Sequence, residues 1–182
     1  MKAVVAVDDS DFSRHALAWA LDHLFFPPAD QDMQPAAEPE PEPRPVLVLV
    51  HALEPLRHIM YPVGPGSAVY GAPSMMESVR AAQAENARNL LDRAKQICLQ
   101  RGVSAEAVVV EGEPREALCR AAADMDAGLL VVGSRGLGAI KRAFLGSVID
   151  YCAHYATCPI MVVKPSRDDE HAHGHGTTAA AS

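Results

Sequence analysis

The chain has 182 residues, 49% hydrophobic and 21% charged, which is the composition of one globular domain with a sizeable core. Its formal net charge of -7 and its lack of a basic stripe exclude a protein that binds nucleic acid through clustered cations. No apolar run approaches the roughly 20 residues that a membrane-spanning helix needs. The acidic pair at Asp8 and Asp9 ends the first apolar run too early for a signal peptide, so we expect a cytoplasmic protein.

Strand-like apolar runs alternate with helical periodicity along the chain. A β-branched run at 2–7 predicts a buried strand, and apolar residues at helical spacing from Phe12 to Leu24 predict a helix after it. The same patterns predict strands at 46–50, 103–111, 129–132 and 159–164 and helices at 74–101, 114–123 and 147–155. Because such strands form parallel sheets covered on both faces, we expect a three-layer α/β/α fold with an open, doubly wound, parallel five-stranded sheet and four main helices.

Three segments do not fit this alternation. Residues 27–45 hold half of the chain's 14 prolines and five acids against one Arg, which predicts a disordered insertion. Residues 54–73 include a Gly-, Pro- and Tyr-rich stretch and predict a flexible loop. Residues 165–182 predict a disordered tail, whose alternating histidines could bind Zn or Ni weakly but lack a rigid element to fix them. We therefore expect one domain over 1–164.

The ends of the strands indicate where a ligand would bind, because ligands of open parallel sheets lie beyond the carboxyl ends of the strands. That edge would carry Asp8, the segment 51–53, the segment 111–112 and the chain from Gly133 onward. The carboxylates after the first strand could bind a divalent metal or catalyse a reaction, or one could cap the following helix. We expect Asp8 to face the ligand and one of the two residues after it, Asp9 or Ser10, to be the cap.

The glycine-rich stretch 133–147 lies between the fourth strand and the last helix. Gly133 and Gly136 permit a backbone to approach a ligand closely. The start of the last helix has free N–H groups that suit a phosphate, and it is formed by Gly146, Ser147 and Val148.

The basic residues Lys141 and Arg142 of the same stretch would bring positive charge close to that anion. The stretch matches neither the P-loop, nor the GxGxxG dinucleotide fingerprint, nor the GxSxG nucleophile turn. A tight structural turn is the alternative explanation of its glycines.

The spacing Gly133-x2-Gly136-x9-Gly146-Ser147 is similar to the G-x2-G-x9-G-[S/T] motif of ATP-binding universal stress proteins. The opening Val-Val-Ala-Val-Asp-Asp-Ser, which ends at Ser10, resembles the first strand and turn of that family. Further similarity lies at 48–52, 112–117 and 158–163. The resemblance covers 1–164 apart from the acidic insertion and the Gly/Tyr-rich loop. These two segments are longer than in compact bacterial members and resemble those of plant or algal members.

The resemblance implies an adenine nucleotide hydrolase-like fold and a stress-response module that binds ATP, ADP or AMP, with Mg²⁺ on the phosphates. The site that it implies consists of Asp8, Ala52, Gly133, Gly136, Gly146, Ser147 and Val148. Asp8 would face the nucleoside and the backbone of Ala52 the adenine edge. The two glycines after the fourth strand would approach the ribose and first phosphate, and the residues at the start of the last helix would bind phosphates.

The resemblance also implies a homodimer through the last strand, 159–164, because universal stress proteins commonly pair this strand with a second copy. Two other functions stay open. The chain could be a slow adenine-nucleotide hydrolase that depends on a metal and on Asp8. Alternatively, it could be a nucleotide-free interaction module that uses the segment 27–45.

The four cysteines form no CxxC pair, so the sequence contains neither a zinc knuckle nor a thioredoxin-type redox motif. Reduced thiols are the simplest interpretation. We expect Cys98, Cys119 and Cys152 to be small buried hydrophobes and Cys158 to be the most exposed thiol.

Overall fold

The structure of the protein is a computed structural model that describes residues 1–25, 45–56, 60–64, 67–70, 73–135 and 146–165. Several predictions from sequence therefore lie outside the described residues. These are the disordered insertion apart from Pro45, the tail apart from Pro165, part of the 54–73 loop, and the residues Gly136, Lys141 and Arg142.

The described elements follow the predicted order. The strands are β1 (Lys2–Ala6), β2 (Val46–Leu53), β3 (Met60–Gly64), β4 (Ser67–Tyr70), β5 (Ala105–Glu111), β6 (Leu129–Gly133) and β7 (Ile160–Val163). The helices are α1 (Asp11–Ala20), α2 (Pro73–Gln100), α3 (Pro114–Asp124) and α4 (Ser147–Tyr155), and one π-helical turn at Leu21–Phe25 extends α1. None of the described helices has the length and apolarity to cross a membrane.

Five of these strands form one parallel sheet in the order β5-β2-β1-β6-β7. The first strand lies in the centre, and the chain moves outward from it first on one side and then on the other. The strand order thus reverses beside β1, which is where ligands bind in open α/β sheets. The predicted three-layer α/β/α fold with a parallel five-stranded sheet is confirmed.

The alternation of side chains along each strand divides the core into two layers. Val5 is fully buried on the face covered by α1 and α2, whereas its neighbour Val4 is fully buried on the face covered by α3 and α4. The layer of Val5 also contains Leu47, Leu49, Leu129 and Val131, and the layer of Val4 contains Val48, Val50, Leu130 and Val132. Both faces are apolar, which explains why these strands read as continuous hydrophobic runs.

The segment between β2 and α2 differs from the sequence prediction. The chain forms an antiparallel hairpin there, in which β3 pairs with β4 and the register shifts between Pro62 and Gly64. The sequence predicted a flexible loop because the prolines and glycines of this stretch interrupt strand patterning. The two short strands could therefore not be recognised from the sequence, because prolines and glycines interrupt them.

The two-layer core predicts the effect of truncating a central side chain. Leu49→Ala should lower the free energy of unfolding by about 2–5 kcal/mol, because Leu49 on β2 is fully buried in the core layer under α1 and α2. Val46→Ala on the same strand is the control, since Val46 is 45% exposed and should cost less than about 1 kcal/mol. Urea denaturation measures both, and equal losses would contradict the assignment of the core.

Candidate functional site

A cavity of about 470 Å³ opens at the carboxyl ends of β1, β2 and β6. Its volume lies within the range of small-molecule sites, about 300–1,000 Å³. The lining residues are Ala6, Val7, Asp8, Ser13, Val50, His51, Ala52, Glu54, Glu113, Pro114, Leu118, Val132, Gly133, Arg135, Gly146, Ser147, Val148 and Ile149. The wall is thus made from strand ends, the starts of α3 and α4, and a residue of α1.

Six of the seven residues predicted from sequence line this one cavity: Asp8, Ala52, Gly133, Gly146, Ser147 and Val148. They come from four separate parts of the chain, and parallel strands bring them together because all the carboxyl ends lie at the same edge. The seventh, Gly136, is outside the residues that the structure describes.

The start of α4 presents main-chain donors to the cavity. Gly146 is the N-cap of the helix, with φ -62° and ψ 151°, and has no side chain to take the first amides. Its carbonyl accepts hydrogen bonds from the amides of Ile149 and Asp150, at 3.0 and 3.1 Å. In the described part of the chain, the amides of Ser147 and Val148 have no protein acceptor, as is usual for the first residues of a helix. The helix start can therefore donate two N–H groups to an anion.

Gly133 closes the floor of the cavity for a reason that the sequence did not indicate. A Cβ atom on Gly133 would lie 2.7 Å from the backbone carbon and oxygen of Phe12, and 3.0 Å from the amide nitrogen of Ser13. The end of β6 therefore packs directly against the first turn of α1. Only glycine permits this approach, so Gly133 is required by packing inside the protein whether or not a ligand binds.

The turn between β1 and α1 is fixed by its own side chains. Ser10 is the N-cap of α1, as predicted, and its hydroxyl accepts the amide of Ser13 at 3.2 Å. One carboxylate oxygen of Asp8 accepts hydrogen bonds from the amide and the hydroxyl of Ser10. The hydroxyl of Ser13 accepts the amide of Asp8 at 3.1 Å. Asp8 is thereby held at the rim of the cavity with its position set before any ligand enters.

The backbone of Ala52 faces the open side of the sheet. The Val50 carbonyl accepts the amide of Val7 on the β1 side, and the Leu53 carbonyl accepts the amide of Gly112 on the β5 side. Since backbone groups alternate along a strand, the N–H and C=O of Ala52 point toward the β1 side, where β1 has already ended. They lie where a planar group with donors and acceptors could pair with them.

The imidazole ring of His51 lies beside the backbone of Ala52 in the cavity lining. Its Nδ1 lies 2.8 Å from the carbonyl oxygen of Val7, so Nδ1–H is the donor of that hydrogen bond. In the neutral ring, Nε2 is left as an acceptor. His51 therefore has a structural hydrogen bond and also lines the cavity.

The cavity also carries charged residues that the sequence reading did not assign to the site. Glu54 follows β2, and Glu113 lies directly before α3. Arg135 follows β6 and its guanidinium carbon lies 5.2 Å from the centre of the Phe12 ring. The only sequence signal for these residues is their position, one or two residues beyond the end of a strand.

A comparison with protein families identifies the family of the chain. A model described as the universal stress protein family matches residues 1–164. The chain belongs to the universal stress protein family. This membership confirms the resemblance read from the glycine spacing and the strand motifs.

Relatives in the universal stress protein family come from plants and bacteria. The chain is 31% identical to universal stress protein PHOS34 of Arabidopsis thaliana over 166 residues, which is 90% of this chain and 61% of that protein. It is 31% identical to a universal stress protein A-like protein of Arabidopsis thaliana over 102 residues, or 56% of this chain and 58% of the relative. These matches therefore span less than two thirds of the length of either relative.

Solved structures share the fold at low identity. A universal stress protein family protein from Arabidopsis thaliana, determined with AMP bound, has a TM-score of 0.60 at 22% identity, with 93% of this chain and 94% of that chain covered. A universal stress protein from Archaeoglobus fulgidus in complex with dAMP has a TM-score of 0.55 at 20% identity, with 90% and 98% covered. UspA from Lactobacillus plantarum has a TM-score of 0.63 at 17% identity, with 90% and 97% covered.

The two glycines at the cavity should differ in their effect on stability. Gly133→Ala should lower the free energy of unfolding by about 1–3 kcal/mol, because the new methyl group meets the backbone of Phe12. Gly146→Ala is the matched variant and should change it by less than about 1 kcal/mol, since no described residue would lie nearer than 4.0 Å to its Cβ. Denaturant unfolding of the two variants checks this order, and a larger loss for Gly146→Ala would contradict it.

Proposed function

We propose that this chain binds an adenine nucleotide, ATP or its products ADP and AMP, and acts as a stress-response binding module. The phosphates would accept hydrogen bonds from the amides of Ser147 and Val148, with Gly146 leaving room for them. The observation that carries the proposal is that these two amides, which have no acceptor among the described residues, line the same cavity as Asp8, Gly133 and the open backbone edge of β2.

The adenine end of the ligand would lie against the backbone of Ala52 in the same cavity. An adenine ring offers a donor and an acceptor along one edge, and the outward N–H and C=O of Ala52 offer the complementary pair. The apolar residues Val50 and Val132 lie in the same lining and can contact the ring face. This arrangement would recognise the base through main-chain atoms. The identity of the side chain at position 52 therefore does not indicate whether the base is bound there.

Relatives support the nucleotide class. Solved proteins of the same fold were determined with AMP, with dAMP and with cAMP. The ligands share an adenine base and at least one phosphate group, which are the two groups that the two walls of this cavity suit. We extend the class to ATP because the motif that ends at Ser147 is similar to that of ATP-binding members.

The carboxylates of the cavity favour a cation with the phosphates. Asp8, Glu54 and Glu113 line the cavity together with Arg135. Negative groups near a polyphosphate raise its free energy unless a cation offsets them. We therefore propose that Mg²⁺ accompanies a triphosphate here, held mainly by the phosphates.

A substitution at the helix start tests the phosphate contact. Gly146→Asp should weaken nucleotide binding about 100-fold or more, because its carboxylate takes the amides and repels the phosphate. The fold should persist, since Asp is a favoured N-cap and the φ of Gly146 is -62°. Titration calorimetry with AMP and with ATP plus Mg²⁺ measures the affinity, and circular dichroism measures the fold.

Thr157→Asp is the matched control, because it adds the same charge at an exposed position just beyond α4 and outside the cavity lining. It should bind as the unchanged protein does. Retained affinity in Gly146→Asp, or no binding by the unchanged protein at millimolar nucleotide, would reject the proposal.

We also propose that the chain forms a homodimer through the last strand. The strand β7 is at an edge of the sheet, and pairing with a second copy would cover its partly exposed apolar side chains. The carbonyls of Pro159 and Val163 accept hydrogen bonds from the amides of Leu130, on β6, and of Ser134, directly after β6. By alternation, the amides of Ile160 and Val162 point away from the sheet and are free to pair.

A proline on the outer edge tests the dimer. Val162→Pro removes one outward N–H while leaving the hydrogen bonds to β6, because edge strands tolerate proline there. Light scattering at micromolar concentration should give a dimer for the unchanged protein and a smaller particle for the variant. A monomer in both samples would contradict the dimer proposal.

A cytoplasmic location is the last part of the proposal. All four cysteines are free thiols, and free thiols are typical of reducing compartments.

A further inference from the structure

Two buried thiols from different helices are in contact. The Sγ atoms of Cys119 on α3 and Cys152 on α4 lie 3.3 Å apart, although 33 residues separate them in sequence. Their residues are 8% and 0% exposed. The two cysteines are not close in sequence, as the cysteines of a CxxC redox pair are. The packing of α3 against α4 brings their sulfurs together.

Of the other two cysteines, Cys98 lies in the opposite core layer, whereas Cys158 packs against the same layer as the pair. Cys98 is fully buried on α2, on the opposite face of the sheet. Cys158, just before β7, is half-buried and is the most exposed of the four thiols, as predicted. Burial raises the pKa of Cys98 to about 11 and, together with the hydrogen bond to Cys119, raises the pKa of Cys152 to about 12. Near neutral pH, both groups are therefore thiols rather than thiolates.

We propose that Cys119 and Cys152 are an oxidisable pair that forms an internal disulfide when the protein meets a hydroperoxide. The bond needs the two sulfurs to approach by about 1.3 Å, from 3.3 Å to the disulfide length near 2.0 Å. Such an approach is small for side chains that already touch. Contact replaces the diffusional search, so the two sulfurs do not have to find each other before they react.

The reaction balances with hydrogen peroxide as oxidant. The Cys119 sulfur, the less buried of the two, attacks one peroxide oxygen, the O–O bond breaks, and a sulfenic acid and water form. The Cys152 sulfur then attacks the Cys119 sulfur, the S–O bond breaks, and a second water leaves with the remaining thiol proton. Two thiols are oxidised to a disulfide, and one peroxide is reduced to two waters.

The crosslink would join the two helices whose starts frame the cavity. Cys119 directly follows Leu118, a lining residue from α3, and Cys152 lies one turn after Val148, a lining residue from α4. Drawing the sulfurs together moves these helices relative to each other and displaces the α4 amides. We expect weaker nucleotide binding in the oxidised protein, a consequence that rests on the proposed function.

Thiol mapping tests the pair without reference to any nucleotide. The reduced full chain is treated with hydrogen peroxide, its free thiols are alkylated under denaturing conditions, and it is cleaved with chymotrypsin for mass spectrometry. Cleavage after Tyr155 separates Cys152 from Cys158. The expected result is a crosslinked peptide pair containing Cys119 and Cys152. A crosslink through Cys158, a crosslink between chains, or no crosslink would overturn the proposal.

Two matched variants complete the test. Cys152→Ala should abolish the crosslink, whereas Cys98→Ala removes an equally buried thiol and should leave it intact. Calorimetry with AMP should then show several-fold weaker binding after oxidation, reversed by dithiothreitol and absent in Cys152→Ala. Equal affinity in both redox states would overturn the coupling to the cavity. Failure of the reduced protein to bind AMP would instead reject the proposed function and leave the thiol result standing.

Discussion

The parallel pairing of β1 with both β2 and β6 is the constraint on which the rest of the structure depends. It directs three carboxyl ends to one edge, and the reversal of strand order beside β1 leaves a gap between the segments that follow them. The gap is where the turn after β1, the open backbone of Ala52 and the first amides of α4 meet. Binding groups from distant parts of the chain therefore need no dedicated contacts to assemble them.

The contact between Gly133 and the first turn of α1 shows that a residue of the proposed site is also required by packing. The turn is held by Ser10 and Ser13 through hydrogen bonds to Asp8, and β6 packs against the backbone of Phe12. A glycine in a binding motif can therefore be required by the protein interior. Gly146 is different, because among the described residues a Cβ atom there would have no neighbour nearer than 4.0 Å.

The sheet and its helices could be predicted because the central strands are continuous apolar runs and each helix has apolar residues at helical spacing. The helix start at Ser147 could be predicted for the same local reason. Long-range contacts could not: the packing of Gly133 on Phe12 and the meeting of Cys119 with Cys152 depend on tertiary structure. The hairpin of β3 and β4 was missed because short strands interrupted by Pro and Gly lack a detectable period.

The central claim is that the first amides of α4 donate hydrogen bonds to a nucleotide phosphate. Amide NMR spectra recorded while AMP is added test it most directly, because each backbone N–H gives its own signal. The account predicts saturable downfield shifts of the Ser147 and Val148 amide protons, with smaller changes at Ala52. Binding of AMP that leaves the signals of Ser147 and Val148 in place would contradict it.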